Sequence, residues 1–235
     1  MNKATIEEIK NRFDNDVEEF SNLIFGQTSV IDAKISLNLV AEVTKIIVPK
    51  AINLLDIGCG AGNYTLAVLL KMPNLKCTLV DLSESMLSKA LERVSEKTKR
   101  EVKTIQGDIR TVRLKENHFD IILSCAVLHH LRDDKDWESV FIKLYNLLNI
   151  GGCLIISDFV THDNDLLTEY MMRRYISYLE KIENRKYAQE IFNCIEKNDT
   201  PRSITYQLDI MKKIGFRNLE ILHKNICFGT FCATK

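Results

Sequence analysis

A short stretch of the chain, LLDIGCGAGNY, combines an apolar run, an Asp and three closely spaced glycines. Glycine is conformationally costly, so such a cluster needs a structural reason. Two reasons fit: a sharp turn between a strand and a helix, and close approach of a ligand to bare backbone N–H groups. Because Asp56 lies in the run and Gly58, Gly60 and Gly62 follow it, we expect a ligand site at the carboxyl end of a first strand.

Two further acidic residues follow predicted strands. Asp81 ends the apolar run CTLVD, and Asp108 follows the next such run. An acid at the tip of strand two can accept hydrogen bonds from ribose hydroxyls, and Asp108 can accept one from an adenine amino group while Ile109 packs beside the ring. Since negative charges disfavour a nearby pyrophosphate, the three acids favour a nucleoside that carries a positive sulfonium over a dinucleotide.

Two adjacent histidines, His129 and His130, follow the fourth predicted strand in AVLHHLRDD. Imidazole titrates near neutral pH, so either residue is a candidate general base. The alternative is that both cap the cleft structurally. No metal is expected, because Asp158 and His162 after the fifth strand lack a third ligand at suitable spacing.

Short apolar runs alternate with amphipathic stretches along the chain, which is typical of a parallel sheet covered by helices on both faces. The predicted strands are 52–57, 76–81, 102–106, 119–125 and 153–159, with helices at 64–71, 84–98 and 137–148 between them. A helix at 203–214 and two strands, 219–223 and 226–233, close the chain. Predicted helices from about 5 to 48 precede the first strand, and a second helical segment, 163–198, follows the fifth.

Composition and charge argue against several classes of function and location. The 235 residues include 32 Lys and Arg against 32 Asp and Glu, so no long-range field attracts a polyanion, which argues against nucleic-acid binding. Seven cysteines without CxxC pairs are typical of reduced thiols in a cytoplasmic protein. The amino terminus lacks the apolar core of a signal peptide, and no apolar run reaches the ~18 residues of a membrane span. The sequence therefore predicts a cytoplasmic protein that does not enter a membrane.

Five segments in order, LLDIGCGAGNYT, LVDLSESML, GDI, FDIILSCAVLHHL and LNIGGCLIISDF, resemble the motifs of the class I S-adenosylmethionine-dependent methyltransferases. The closing GFRNLEILHKNICFGTFCATK is similar to the terminal hairpin of that family. The resemblance implies an α/β fold: a doubly wound, Rossmann-like sheet of seven strands, mostly parallel with an antiparallel last strand. It also implies one domain over residues 1–235, with an N-terminal helical lid (1–48), a core (49–160 and 203–235) and a helical insertion (161–202).

The resemblance also assigns contacts to the cofactor, S-adenosyl-L-methionine. It implies that Asp56, Gly58, Cys59 and Gly60 contact the methionine part of the cofactor and that Asp81 contacts the ribose. The residues implied around adenine are Leu82, Met86, Asp108 and Ile109. The residues implied beneath the sulfonium are Ser124, Cys125 and Ala126. For Cys59 the alternative is a small turn residue, and for Met86 it is a helix core residue.

The helical segments outside the sheet are expected to select the acceptor. Their aromatic and cationic side chains predict an aromatic-walled pocket for a substrate carboxylate or phosphate, with packing onto the sheet as the alternative. These residues are Phe13, Phe20 and Phe25 in the first segment, and Tyr170, Met171, Arg173, Arg174, Tyr175 and Tyr178 in the second. Exposed apolar faces on the same segments are compatible with a homodimer.

The sequence favours a methyltransferase that acts on a small molecule. One alternative is a carboxy-S-adenosylmethionine synthase serving tRNA modification, which would need a cation such as Arg202, Arg173 or Arg174 for the added carboxylate. Another is a non-catalytic, cofactor-binding regulatory partner. No Asn-Pro-Pro-Tyr motif follows strand four, which argues against amino nitrogens of nucleic acid or protein as targets.

Overall fold

The structure, a computed structural model, describes residues 3–22 and 28–235. Within these ranges a seven-stranded sheet has the order β3-β2-β1-β4-β5-β7-β6. The strands are β1 (Asn53–Ile57), β2 (Lys76–Asp81), β3 (Val102–Gln106), β4 (Phe119–Cys125), β5 (Leu148–Phe159), β6 (Arg217–Asn225) and β7 (Phe228–Thr234). The strands β1 to β5 pair in parallel, and β7 runs antiparallel to both β5 and β6. The predicted fold class is therefore confirmed.

The helices fall into three groups along the chain. Before β1 come α1 (Ile6–Asn15), α2 (Val17–Ser21) and α3 (Ala33–Ile47). The connections between parallel strands contain α4 (Asn63–Lys71), α5 (Glu84–Ser95) and α6 (Asp134–Leu147), with a short 3-10 turn at Leu128–His130. After β5 come α7 (Asp165–Ile182), α8 (Arg185–Asn198) and α9 (Ile204–Ile214). Among the described residues, none of these helices combines the length and apolar character needed to cross a membrane.

Each face of the sheet packs against its own apolar cluster. Leu55 and Ile122 face the cluster that contains Trp137 of α6, whereas their neighbours Leu54 and Ile121 face the cluster that contains Val68 of α4. Successive strand residues point to opposite faces, so strands buried on both sides carry continuous apolar runs. This is why strand periodicity is weak in the sequence.

Two helices begin or end at residues other than the predicted ones, and in both cases a side-chain hydrogen bond explains the difference. Helix α6 begins three residues before the predicted 137, because the Asp133 side chain accepts from Asp136 N and caps it. Helix α5 ends at Ser95 instead of 98, and the Thr98 hydroxyl instead donates to Leu75 O at 3.0 Å.

The glycine turn after β1 packs against the loop after β4. Gly58 has φ +62, and a Cβ there would lie 2.5 Å from the Val127 side chain. Neither the backbone conformation nor the space admits a side chain. Parallel strands end at the same edge of a sheet, so this contact places the two loops side by side at the carboxyl edge.

Candidate cofactor and acceptor site

A cavity of about 320 Å³ lies at the carboxyl edge of the sheet. The loops after β1, β2, β3 and β4 and the end of β5 form one side of it, and residues of α1, α7 and α8 form the other. A ligand in this cavity would lie between the parallel core and the helices outside it. This is where open α/β sheets bind their ligands.

Asp81 is held by the backbone of two loops. Its Oδ2 accepts from Gly60 N at 2.8 Å, and its Oδ1 accepts from Ser83 N at 2.9 Å. Burial raises the pKa of Asp81, and these backbone donors act in the opposite direction. A carboxylate offers about four acceptor positions. Asp81 therefore keeps acceptor capacity for ribose hydroxyls while it fixes the glycine turn.

Asp56 is buried beneath the same turn. Its Oδ2 accepts from Thr65 Oγ1 at 2.6 Å. Burial raises the pKa of Asp56 to about 7; the charge of Asp81 adds to the effect and Thr65 opposes it. A cationic ligand would favour the ionised form of Asp56. This half of the cavity is therefore suited to a positively charged ligand.

The residues assigned to adenine line the cavity, but Asp108 already has a partner. Its carboxylate accepts from Arg110 Nε at 3.0 Å and from Arg110 Nη2 at 2.5 Å. Burial opposes ionisation of Asp108, yet Arg110 holds its pKa below the ordinary value. Leu82, Met86 and Ile109 supply apolar wall beside it. The sequence analysis did not identify Arg110, which also contacts Asp136 at 2.9 Å.

The end of β4 contributes a strained turn. Cys125 and Ala126 line the cavity, whereas Ser124 is fully buried and is not among the lining residues described. Ala126 has φ 55, which is uncommon for a residue with a Cβ. Its N–H donates to Ser157 O at 2.8 Å, which ties the turn to β5.

His129 is oriented by a buried carboxylate. Its Nδ1 lies 2.5 Å from Asp158 Oδ1. Asp158 Oδ2 accepts in addition from Leu128 N at 2.8 Å and from His129 N at 3.2 Å. A hydrogen on Nδ1 therefore points to Asp158, which leaves Nε2 as the other functional nitrogen. Asp158 and His162, the two possible metal ligands that the sequence analysis considered and rejected, lie in different contacts. The structure pairs Asp158 with His129 and places His162 Nε2 2.9 Å from Lys224 Nζ.

Asp199, which the sequence analysis missed, joins the two histidines. Its Oδ1 lies 3.2 Å from His130 Nδ1 and 3.9 Å from His129 Nε2. Donor atoms of His129, His130 and Asp199 all lie within 4.8 Å of one another, close enough to share a metal ion, although ion pairs already link them. Asp199 follows α8 and no local pattern marks it, because its partners come from a distant turn.

The two imidazoles have opposite pKa shifts. Burial lowers the pKa of His129, but the negative charges of Asp158 and Asp199 outweigh burial and raise it to about 9. Burial and the charge of His129 lower the pKa of His130 despite its contact with Asp199. Groups whose environments separate their pKa values in this way are candidates for proton transfer.

The half of the cavity next to α1, α7 and α8 has mostly apolar walls. Phe13 and Tyr175 line it as the sequence predicted, whereas Phe25 and the side chain of Phe20 lie outside the described residues. Further wall residues come from α1, β5, α8 and β7: Ile6, Ile9, Phe159, Ile191, Cys194, Ile195 and Phe228. Tyr64, at the start of α4, also lines the cavity and donates from its hydroxyl to Ser157 Oγ at 3.3 Å.

The cations predicted for a substrate carboxylate lie elsewhere. Arg173 and Arg174 line a separate surface groove along α7 with Tyr170 and Tyr178. Arg202 donates to Asp134 Oδ1 at 2.8 Å on the surface. Three other arginines line the cavity: Arg12 of α1, Arg110 and Arg132. Sequence reasoning identified none of them.

Comparison with known proteins identifies one matching domain and several similar sequences. A family model described as a methyltransferase domain matches residues 54–152. The carboxy-S-adenosyl-L-methionine synthase of Helicobacter hepaticus is 31% identical over 123 residues, which cover 50% of this chain and 49% of that protein. The corresponding enzyme of Campylobacter hominis is 27% identical and covers 97% of both chains. The demethylmenaquinone methyltransferase of Lactococcus lactis is 22% identical, over 94% of this chain and 85% of that protein.

Solved structures show the same fold. Human N-acetylserotonin methyltransferase in complex with S-adenosylmethionine has a TM-score of 0.62 at 16% identity, over 98% of this chain and 57% of that chain. The [4+2]-cyclase SpnF has a TM-score of 0.69 at 14% identity, over 100% of this chain and 98% of that chain. The chain thus spans about half of the first relative and of the human structure. The family model and the solved structures thus agree on a methyltransferase domain over residues 54–152 and on the fold of the chain.

Proposed function

We propose that the chain transfers a methyl group from S-adenosylmethionine to a small-molecule acceptor. The observation that carries this proposal is one continuous cavity with two chemically different halves. Asp56 and Asp81 line one half, and the His129–Asp158 pair with apolar walls lines the other. A cofactor and an acceptor bound side by side would meet between these halves.

The residues of this chain would act mainly by positioning. When bound, the cofactor supplies an electrophilic methyl group on a positively charged sulfur. Asp81 and the glycine turn would hold its nucleoside, and Asp56 would supply negative charge on the same side of the cavity. Holding the acceptor in line with the methyl group accounts for much of the acceleration. His129 Nε2 would take the proton that a hydroxyl or amine acceptor loses.

The walls of the cavity support a small acceptor. Side chains of α1, α7 and α8 cover the acceptor half, and the aromatic rings of Phe13, Phe159 and Tyr175 are among them. Such a covered pocket favours a compact ligand with apolar or aromatic surface. The equal numbers of acidic and basic residues give no support to a nucleic-acid substrate.

A carboxy-S-adenosylmethionine synthase is the second candidate. The Campylobacter hominis relative of that name aligns over 97% of both chains, and Arg12 offers a cation inside the cavity for an added carboxylate. Against it, Arg173, Arg174 and Arg202 do not line the cavity.

Mass spectrometry of the small molecules released from denatured, freshly purified protein separates the two candidates. S-adenosylmethionine or S-adenosylhomocysteine supports the methyltransferase, whereas carboxy-S-adenosylmethionine overturns it in favour of the synthase. Turnover is then measured as S-adenosylhomocysteine formed with a panel of phenols, amines and carboxylic acids. If the cofactor binds but no acceptor is methylated, the non-catalytic partner becomes the better account.

His129→Ala should lower turnover by about 10²-fold or more, the usual contribution of a general base, with unchanged cofactor affinity. His130→Ala should have a smaller effect, because His130 Nδ1 faces Asp199 and its Nε2 is buried without a partner among the described atoms. Steady-state kinetics and calorimetry measure the two quantities. His162→Ala is the control, since His162 contacts Lys224 outside the cavity. Equal turnover in all three variants would leave positioning alone as the mechanism.

We also propose a cytoplasmic location and a homodimer as the state to test. The seven cysteines are all free thiols, which suits a reducing compartment. Ile46 of α3 and Leu70 of α4 are exposed apolar side chains, at 75% and 79%. Light scattering decides the oligomeric state.

A further inference from the structure

Residues 197–200, the end of α8 and the two residues after it, meet two other parts of the chain. We call residues 197–200 the latch. Two backbone oxygens of the latch bond to the amino-terminal segment: Lys197 O accepts from Ala4 N at 2.9 Å, and Asp199 O accepts from Lys3 Nζ at 2.6 Å. Two further bonds join the latch to the segment after β4. Asn198 O accepts from Arg132 Nη1 at 2.6 Å, and Thr200 N donates to His129 O at 2.7 Å. Arg132 also donates to Ala4 O at 2.7 Å. The latch therefore joins the amino-terminal segment, the insertion and the histidine turn.

The side chain of Asp199 points from the latch to the histidines. It is 10% exposed, and its Oδ1 contacts His130 Nδ1 at 3.2 Å. Burial opposes its ionisation, but His129 and His130 hold the pKa of Asp199 below its ordinary value. Asp199 is thus a buried negative charge supplied by an element outside the sheet.

Charged side chains from several elements act on the pKa of His129. Asp158 of β5 contacts its Nδ1, and Asp199 of the latch faces its Nε2 at 3.9 Å. The charge of Arg12 of α1 acts in the opposite direction and lowers the pKa of His129, while the charge of His129 lowers the pKa of His130 in the same turn. A separation of 3.9 Å is too long for a hydrogen bond, so Asp199 acts on His129 through its charge and through its hold on His130.

We propose that Asp199 is a positioning residue: the latch places its carboxylate on His130 and opposite His129 Nε2, and thereby sets the charge of the His129 side chain. This deepens the proposed function and rests on it for the role of His129 in proton transfer. The sheet alone supplies only Asp158, so the imidazole acquires its second carboxylate when the latch is bonded in place. The charge of the site then depends on the insertion as well as on the core.

The proposal has a consequence for pH dependence. With both carboxylates in place, the pKa of His129 is about 9, so at neutral pH most of it is protonated and turnover should rise with pH. Asp199→Asn keeps the shape of the side chain and removes its charge. An opposite charge within ~4–6 Å shifts a pKa by about 1 unit or more. The variant should therefore move the His129 titration, and the rise in turnover, about 1 unit to lower pH.

Nuclear magnetic resonance of the full chain labelled with ¹⁵N-histidine tests this without an acceptor. The titration of His129, assigned with His129→Gln, is compared in wild type, Asp199→Asn and Asp134→Asn. Asp134 is the matched control because it pairs with Arg202 and Tyr206 outside the cavity. We expect a downward shift of about 1 unit in Asp199→Asn only, and Asp199→Glu should restore part of it.

An unchanged His129 titration in folded Asp199→Asn overturns the proposal. Should that variant fail to fold by circular dichroism, Asp199→Ser serves in its place, because it also removes the carboxylate that contacts His130 at 3.2 Å. A downward shift in Asp199→Ser supports the proposal and no shift overturns it. A shifted titration in a chain that methylates no acceptor leaves the coupling in place and rejects the proposed function, so the two failures are distinguishable.

Discussion

At the scale of single residues, Asp81 joins structure and binding in one side chain. Its two oxygens accept hydrogen bonds from Gly60 N and Ser83 N, so the carboxylate that closes the glycine turn is also the one that we propose for the ribose. Asp56 lies near enough for the charge of Asp81 to raise its pKa. A cationic cofactor would relieve this repulsion. Relief of the repulsion between Asp56 and Asp81 would therefore contribute to the binding free energy of the cofactor.

Asp81→Ala should weaken S-adenosylmethionine binding by about 10- to 100-fold, because hydrogen bonds to a charged group contribute ~1.5–3 kcal/mol. Isothermal calorimetry measures the affinity. Asp120→Ala is a matched control: Asp120 also accepts two backbone N–H groups, from Ile52 at 2.8 Å and Asn53 at 2.9 Å, but near the amino end of β4. Equal affinities in the two variants would contradict the assignment of Asp81 to the cofactor.

At the scale of elements, α1 is attached to the core over the predicted adenosine position. Asp14 Oδ1 accepts from Ser83 Oγ at 2.5 Å and from Ser85 N at 3.4 Å, at the start of α5. A negative charge is favoured at a helix amino terminus. The Thr5–Glu8 capping box starts α1 at its other end. The helix is therefore fixed at one end by the latch segment and at the other by α5.

Asp14→Ala should loosen α1 without unfolding the core. We expect amide hydrogen exchange in residues 6–15 to accelerate by about tenfold, since one charge-assisted hydrogen bond contributes ~1.5–3 kcal/mol. Mass spectrometry of exchange resolves this segment. Glu7→Ala removes the same charge from an exposed position of the same helix and should change exchange much less. If the two variants exchange alike, Asp14 does not hold α1.

The same elements show what the sequence could and could not predict. Strands such as 76–81, 102–106 and 119–125 were predicted at their observed bounds, because runs buried on both faces and helices with apolar stripes are local patterns. The glycine turn and Asp81 were predicted as a site for the same reason. Asp199 and Arg12 were not, since each reaches the cavity only through the packing of helices outside the sheet. His130 was predicted as an equal of His129, but their different carboxylate partners separate them.

At the scale of the whole molecule, β7 lies between β5 and β6 and completes the sheet beyond the parallel strands. Phe231 of β7 is fully buried in the cluster that contains Trp137 and Phe141. Its register partner on β6, Ile221, is 53% exposed. In the closing hairpin β7 therefore contributes its buried side chains to the core, whereas β6 is more exposed and packs against the core with Leu219 and Leu222.

Phe231→Ala should lower the free energy of unfolding by about 3–5 kcal/mol, the usual cost of removing a buried Phe side chain. Urea denaturation measures it. Ile221→Ala, at the paired position, should lose far less because about half of that side chain is already in solvent. Similar losses in both variants would show that the hairpin is not packed as described.

The cysteines give the molecule a built-in place for an optical reporter. Six of the seven are buried, and Cys194 alone among them is partly accessible. Cys194 also lines the cavity on the α8 side, close to the latch. A maleimide dye would therefore modify this thiol ahead of the others. The rate of labelling would report how often the acceptor half admits a molecule from solvent, and protection by a bound compound would identify ligands without knowledge of the reaction.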